Sequence, residues 1–357
     1  MSLPTGAVRR LSLLSAMLLA AVLLAACGSS SDDGGGSSSA STAAASTTAD
    51  SGSGGDSDSA EPVTITVGVP RNFGYLSTLW ARDVQPPGVK VEYKYFPVFT
   101  DMLTALNGGK IDLTEIGDVG AVQSYVNGGK VKAVAVTQPN DLNCGLIVPR
   151  DSTVRTFADL KGKKLAFLRS TNSYISFLHQ IKQAGLKESD FQIVEISGPA
   201  ANKAFQTGQV DAYYTIDPNL ADIVQQTGGR EIATCRDMRT ENLYPYVATT
   251  DAIESKPQAI RAVIQAVADN IAWIQAHPDE QARLVAPKVG FSEEAIRATY
   301  GEGARGLQTV DDAFYAHEQP VIDELVEARI VSQPVRADEV FLSEFNDATT
   351  PSADAAR

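Results

Sequence analysis

Residues 164–185 read KLAFLRSTNSYISFLHQIKQAG. The run 164–168 suits a short buried strand. Ser170, Thr171, Asn172 and Ser173 follow as four polar residues in a row, and the apolar-periodic stretch 174–184 ends at Gly185. Strand, polar turn and helix form the repeating half of a layered α/β sheet. The same order recurs on both sides. Upstream, strands are predicted at 63–69, 89–95, 111–116 and 131–137, with helices at 76–83, 101–107 and 119–126 between them. Downstream, strands at 191–196 and 210–215 alternate with helices at 200–207 and 220–227, each helix closed by glycine. A strand at 244–249 and helices at 257–276, 292–300 and 312–329 complete the pattern, with Pro278 ending the first of these helices. Residues 61–357 are long for one core and comfortable for two, and each unit is expected to hold a mostly parallel sheet.

The chain before residue 61 is of another kind. Arg9 and Arg10 precede an apolar run at 11–24, then Ala25, Ala26 and Cys27. Basic residues, an apolar stretch and small residues make a secretory signal at 1–26. The run falls short of the roughly 20 residues a spanning helix needs. Leu24-Ala-Ala-Cys-Gly28 resembles a bacterial lipobox, which implies cleavage before Cys27 and a lipid on its sulfur. Residues 28–60 contain only Ser, Gly, Ala, Thr and Asp. Nothing there buries enough surface to offset ordering entropy, so 27–60 reads as a tether.

The formal net charge is −13, and loss of the two leading arginines makes it more negative still. Such a chain is not built to grip a phosphate backbone, which argues against nucleic acid as a partner. With Cys27 assigned to lipid, Cys144 and Cys235 remain. In an oxidising compartment they are either bonded or two buried thiols. His179, His277 and His317 show no ligand spacing, so neither a metal nor another cofactor is expected. No Gly-x-Ser-x-Gly elbow, His-Glu-x-x-His or Walker sequence occurs, which argues against an enzyme.

Four runs carry a family likeness: ALNGGKIDLTEIGD (105–118), DLKGKKLAFLRSTNS (159–173), AFQTGQVDAYYTIDP (204–218) and YPYVATTDAI (244–253). Together they resemble the nitrate, sulfonate and taurine type of bacterial ABC-transporter solute-binding protein, also called the NMT1/THI5-like group. The likeness spans nearly all of 61–300. It implies a two-lobed periplasmic-binding α/β fold of type II with a hinge between lobes, closing around a ligand. One lobe would comprise 61–143 with 245–350, the other 144–244. The chain would be a monomeric, lipid-anchored, extracytoplasmic protein presenting a small molecule to a membrane permease. Taurine or an organosulfonate leads as ligand, and a thiamine-precursor pyrimidine or another nitrogenous heterocycle is the alternative. A cell-surface sensor or adhesin-like module is a further one. Ile216 stands where the sulfonate and taurine proteins often carry an aromatic residue.

Open α/β sheets bind ligands beyond the carboxyl ends of their strands. Ser170, Thr171, Asn172 and Ser173 occupy such an end at a helix start, where unpaired N–H groups favour an anion. Phe73, Tyr75, Gly117 and Asp118 follow other strands and would close over the ligand from the opposite lobe. Asp217 would meet a cationic end or cap the next helix. Asp118 likewise is a ligand contact or a cap. Arg71 or Arg169 would balance an anion or stay solvated. Tyr213 and Tyr214 are neighbours in one strand, so one of them, Tyr214 by its nearness to the loop, would face the cleft. The lipobox reading makes a direct prediction: Cys27→Ala in the native host releases the protein from the membrane fraction, as fractionation and immunoblotting would show, whereas unchanged retention removes the anchor.

Overall fold

The computed structural model describes residues 61–71 and 74–356; Cys27, the rest of 1–60 and Phe73 lie outside the described residues. In β1 (Val63–Pro70), Ile65, Val67 and Val69 alternate onto one face and are wholly buried. They pack in one core with the helix Pro257–Ala276, whose Ile260, Val263, Ile264, Val267 and Ile271 form a single apolar stripe. A second core holds Met102, Leu106, Val119 and Val122 from two further helices.

The other strands are β2 (Val89–Phe96), β3 (Leu113–Glu115), β4 (Val131–Thr137), β5 (Cys144–Val148), β6 (Lys164–Ala166), β7 (Gln192–Val194), β8 (Ala212–Ile216), β9 (Arg230–Thr234), β10 (Pro245–Thr249) and β11 (Leu307–Gln308). They make two sheets, ordered β11-β4-β10-β3-β1-β2 and β7-β6-β8-β5-β9. Each sheet centres one lobe. The chain passes between lobes twice, from β4 to β5 and from β9 to β10.

The expectation of mostly parallel sheets is corrected here, because both are mixed. β1, β2 and β3 run parallel, as do β6, β7 and β8. β10 runs antiparallel to β3 and β4, and β5 runs antiparallel to β8 and β9. The reason is directional. β4 and β9 end where the chain leaves their lobes, so β5 and β10 enter from that same end and must run back against their neighbours. β5 (Cys144–Val148) follows directly on the first crossing. Pro278 does end the long helix, but it also starts another, Pro278–Val289, because proline fits a first helical turn that has no N–H to pair. The helix expected at 292–300 is shorter, Glu293–Arg297, and relaxes into a wider turn at Ala298–Glu302. Among the described residues no helix is long and apolar enough to cross a membrane.

The two crossings are fastened to each other. Cys144 and Cys235 are disulfide-bonded with Cα atoms 5.1 Å apart, and the Cys235 N–H donates to the Cys144 carbonyl at 3.0 Å. Beside them Asn140 and Asn242 exchange backbone hydrogen bonds of 3.2 and 3.1 Å. The Asn242 amide donates to Asn143 Oδ1 at 2.9 Å, and the Asn143 amide donates to the Tyr244 hydroxyl at 3.1 Å. A cross-link closing 91 residues removes much loop entropy from the unfolded chain. Cys144→Ala/Cys235→Ala is therefore expected to lose about 2–5 kcal/mol of unfolding free energy in urea titration, to the same extent as reduction of the wild type. A double variant as stable as the oxidised protein would show that the bond constrains nothing.

Candidate functional site

The lobes meet over a chamber of about 730 Å³, its open mouth included. Its floor is the strand-to-helix turn of the second lobe. β6 leads through Phe167 and Leu168 to Ser170, Thr171, Asn172 and Ser173, all four of which line the space. Thr171 is the N-cap of the helix Asn172–Ala184, yet its side chain caps no N–H; its hydroxyl donates back to the Leu168 carbonyl at 2.8 Å. The Ser170 and Ser173 hydroxyls have no partner among the described residues. A second helix start, Ser197 and Gly198 ahead of Gly198–Gln206, borders the same chamber and also lacks a side-chain cap. Two helix starts without side-chain caps thus border one space with their positive dipole ends; at the second, the Gly198 N–H meets the Tyr213 hydroxyl and Pro199 carries no N–H.

No lining side chain carries a charge. Arg169 lies beside the turn but is held by Glu188 and Glu195. Arg71 is turned away, stacked 4.1 Å over the Phe291 ring and donating to the Gly290 carbonyl at 3.2 Å. The walls are apolar and aromatic: Phe99 from the first lobe, Phe167, Ile196, Tyr213, Tyr214 and Ile216 from the second, and Tyr244 after the second crossing.

Tyr213 and Tyr214 both reach the chamber, so the expectation of one is corrected. The space lies over the ends of the strands and receives side chains from both faces of the sheet. Tyr213 has a partner, the Asn219 amide at 3.3 Å, while the Tyr214 hydroxyl is buried without one. Gly117 lines the chamber from the first lobe, and a Cβ there would come within 3.1 Å of Asn172 Oδ1. The lobes touch at that glycine.

The remaining candidates lie elsewhere. Asp118, next to Gly117, is buried and lines a neighbouring cavity; its Oδ1 accepts from the Val119 N–H at 2.8 Å, and the Asn172 side chain hydrogen-bonds to it. Asp217 lines a narrow third pocket and caps the following helix, with Oδ1 accepting from the Ala221 N–H at 3.1 Å. Burial raises its pKa to about 6. Tyr75 shares that third pocket. Its hydroxyl accepts from the Arg305 N–H at 2.6 Å, and its ring meets Tyr300 edge-on at 5.8 Å. Sequence reasoning missed Ser197 and Gly198, although they also stand between a strand and a helix. It missed Phe99, Asn242 and Tyr244 as well, which only the crossings bring near.

The family model described as NMT1/THI5 like matches residues 85–281. The chain belongs to the NMT1/THI5-like family. It is similar to the periplasmic aliphatic sulphonate binding protein SsuA from Escherichia coli, at 26% identity and TM-score 0.69, over 78% of this chain and 92% of that one. The alkanesulfonate-binding protein SsuA from Xanthomonas axonopodis pv. citri, solved bound to MOPS, shares the fold at TM-score 0.72 and 21% identity, over 79% of this chain and 99% of that one. The taurine-binding periplasmic protein of Escherichia coli K12 is 21% identical over 62% of this chain and 69% of its own length. The fold is that of the type II periplasmic-binding proteins, two lobes with mixed sheets, and the relatives are predominantly non-catalytic binding proteins.

One buried carboxyl lies behind the Gly74–Tyr75 turn. Glu115, wholly buried at the end of β3, accepts the Tyr75 N–H on Oε2 at 2.8 Å. Gly74, in a left-handed conformation (φ +84°), leaves room for it; a Cβ there would fall 2.2 Å from Glu115 Oε2. Burial raises the Glu115 pKa from 4.5 to about 8, against the pull of the Tyr75 and Leu76 N–H groups. The folded state therefore keeps a proton that the unfolded chain loses near 4.5. This group's contribution is most favourable at low pH and declines as pH rises toward 8. Unfolding free energy measured from pH 5 to 8 should fall more steeply in the wild type than in Glu115→Gln, by at most about 1.4 kcal/mol per pH unit. Parallel curves would mean that Glu115 does not take up a proton on folding.

Proposed function

We propose that this protein is the extracytoplasmic ligand-binding component of an ABC importer, taking a small organic anion or zwitterion of the organosulfonate class. The observation that carries the reading is the uncharged chamber with two uncapped helix starts on its floor. A sulfonate needs several donors and no proton, and fixed N–H groups with hydroxyls supply them without burying a lone cation. The aromatic walls then take an alkyl or aryl body. The relatives point the same way, since they are named as sulfonate- and taurine-binding proteins. A periplasmic binding protein of this family works with a membrane permease and its ATPase, and the lipid on Cys27 would hold the body at the outer face of the membrane that carries that permease. Within this reading Ser170, Thr171, Asn172 and Ser173 hold the anion, Gly117 closes from the other lobe and Tyr214 donates its free hydroxyl.

A nitrogenous heterocycle is the second reading, favoured by the number of rings on the walls, which suit stacking. A thermal-shift screen separates the two, because only binding to the folded form raises stability, by about 2.7 kcal/mol at a hundredfold excess over Kd. Ethanesulfonate, 2-aminoethanesulfonate and longer alkanesulfonates are expected to stabilise. Aminopyrimidines are expected not to, and the reverse result would replace the first reading by the second. Ser173→Ala and Tyr214→Phe should each weaken sulfonate binding by about 1 kcal/mol in calorimetry while leaving the protein folded. No loss in either variant would move the anion off this floor.

A further inference from the structure

A second cavity opens on the other side of the Gly117–Asn172 contact. It measures about 930 Å³, its mouth included, and lies between the helices Asn172–Ala184 and Asp312–Glu327 and the second crossing. Its rim is made of matched charges. Arg236 pairs with Asp141 at 2.9 Å, His317 with Glu241 at 3.3 Å, and His179 Nε2 with Glu324 at 2.9 Å. The first two pairs are exposed. The last is half-buried and spans the lobes, and its carboxylate holds the His179 pKa up.

The depth of the cavity is different. Glu318 lines it with 0% exposure, and both of its carboxylate oxygens lack a hydrogen-bond partner. The group that faces it electrostatically is Asp118, itself 3% exposed. Asp118 has partners, the Val119 N–H and the Asn172 side chain, but no cation. Arg239, the remaining basic residue of the lining, forms an ion pair with neither acid. A buried carboxylate without donors is among the costliest arrangements a fold can carry, and two facing each other cannot both ionise unaided. Burial raises the pKa of each, so the pair holds a proton while the cavity is empty.

We propose that this cavity is a binding site for a primary ammonium group, received by Glu318 and Asp118. A primary ammonium brings three N–H donors to a cavity in which both oxygens of Glu318 have none. A quaternary ammonium offers no donor, and among the described residues no group of ligands is arranged for a metal ion. The exchange is balanced: the ammonium enters as a cation, the proton held by the pair leaves to solvent, and both carboxylates become ionised and paired. Asp118 lies on the first lobe and its partner Asn172 on the second, so an occupied site also favours the closed arrangement. The ammonium arrives either as a free amine or as part of the molecule whose anion sits on Ser170–Ser173, since Asn172 walls both spaces. The free-amine form stands whatever the anion chamber binds; the ligand-borne form rests on the function proposed above.

The test uses the full folded chain with methylammonium, tetramethylammonium, ethanesulfonate and 2-aminoethanesulfonate as probes. Thermal shift reads binding, and calorimetry in buffers of different ionisation heat reads protons released. In the free-amine form, methylammonium saturably raises the melting temperature and releases close to one proton near pH 7. Tetramethylammonium does neither. In the ligand-borne form, 2-aminoethanesulfonate binds roughly tenfold tighter than ethanesulfonate, as a charge-assisted bond predicts. Glu318→Gln abolishes whichever effect is seen, and Asp118→Asn serves as the second variant should the first fail to fold. If neither sulfonate binds, the methylammonium arm still decides the site, and the failure belongs to the anion chamber. The proposal is overturned by any of three results: no response to methylammonium together with no Glu318-dependent advantage for the amino-sulfonate, equal responses to methylammonium and tetramethylammonium, or a Glu318→Gln protein that behaves as wild type.

Discussion

Two chain crossings join the lobes, and the bonds between those crossings set the position of everything around them. The Cys144–Cys235 link and the paired Asn140 and Asn242 backbones hold the ends of β5 and β9 side by side. From there the chain can leave each lobe only at one end of its strands. That single constraint fixes the direction of β5 and β10 and turns the ends of β3, β6, β7 and β8 toward a common space. It also makes Gly117 meet Asn172, where a side chain on the glycine would hold the lobes apart. Closure and ligand contact are thus one geometric matter in this fold.

Charge is distributed with the same economy. The chamber over Ser170–Ser173 has no ionised lining, although the chain as a whole is strongly acidic. The arginines near it are engaged, Arg169 by two glutamates and Arg71 by an aromatic face and a carbonyl. For the anion proposed to bind there, fixed dipoles would do the work of a buried cation at lower desolvation cost. The acids that burial does reach, Glu115, Asp118, Asp217 and Glu318, stand just outside that chamber and are pushed toward their neutral forms. An acidic protein can in this way present a neutral, donor-rich floor to an anion.

Much of this was legible in residues 164–185 and their repeats. Glycine ends, polar turns and the two hydrophobic periods are local properties, so strands such as β4 and helices such as Pro257–Ala276 fall where the sequence pattern puts them. The floor of the chamber was legible for the same reason, because Ser170, Thr171, Asn172 and Ser173 are contiguous. Asp217 and Tyr75 read as clamp residues from their place after a strand, yet a strand end has more than one side. Asp217 turns to the Ala221 N–H and Tyr75 to Arg305, each into a pocket beside the chamber.

By itself the sequence determined the repeating strand-turn-helix unit, the two α/β layers and the helix start that makes the floor, since each depends on neighbours within a few residues. Tertiary structure alone decided that β5 and β10 run backward, that Tyr213 and Tyr214 share one space, and that Glu318 faces Asp118 across 200 residues of chain. These depend on where a strand enters its sheet and on which elements the crossings bring together. No local periodicity encodes that, because the interacting groups are strangers in sequence and meet only when a whole lobe has formed.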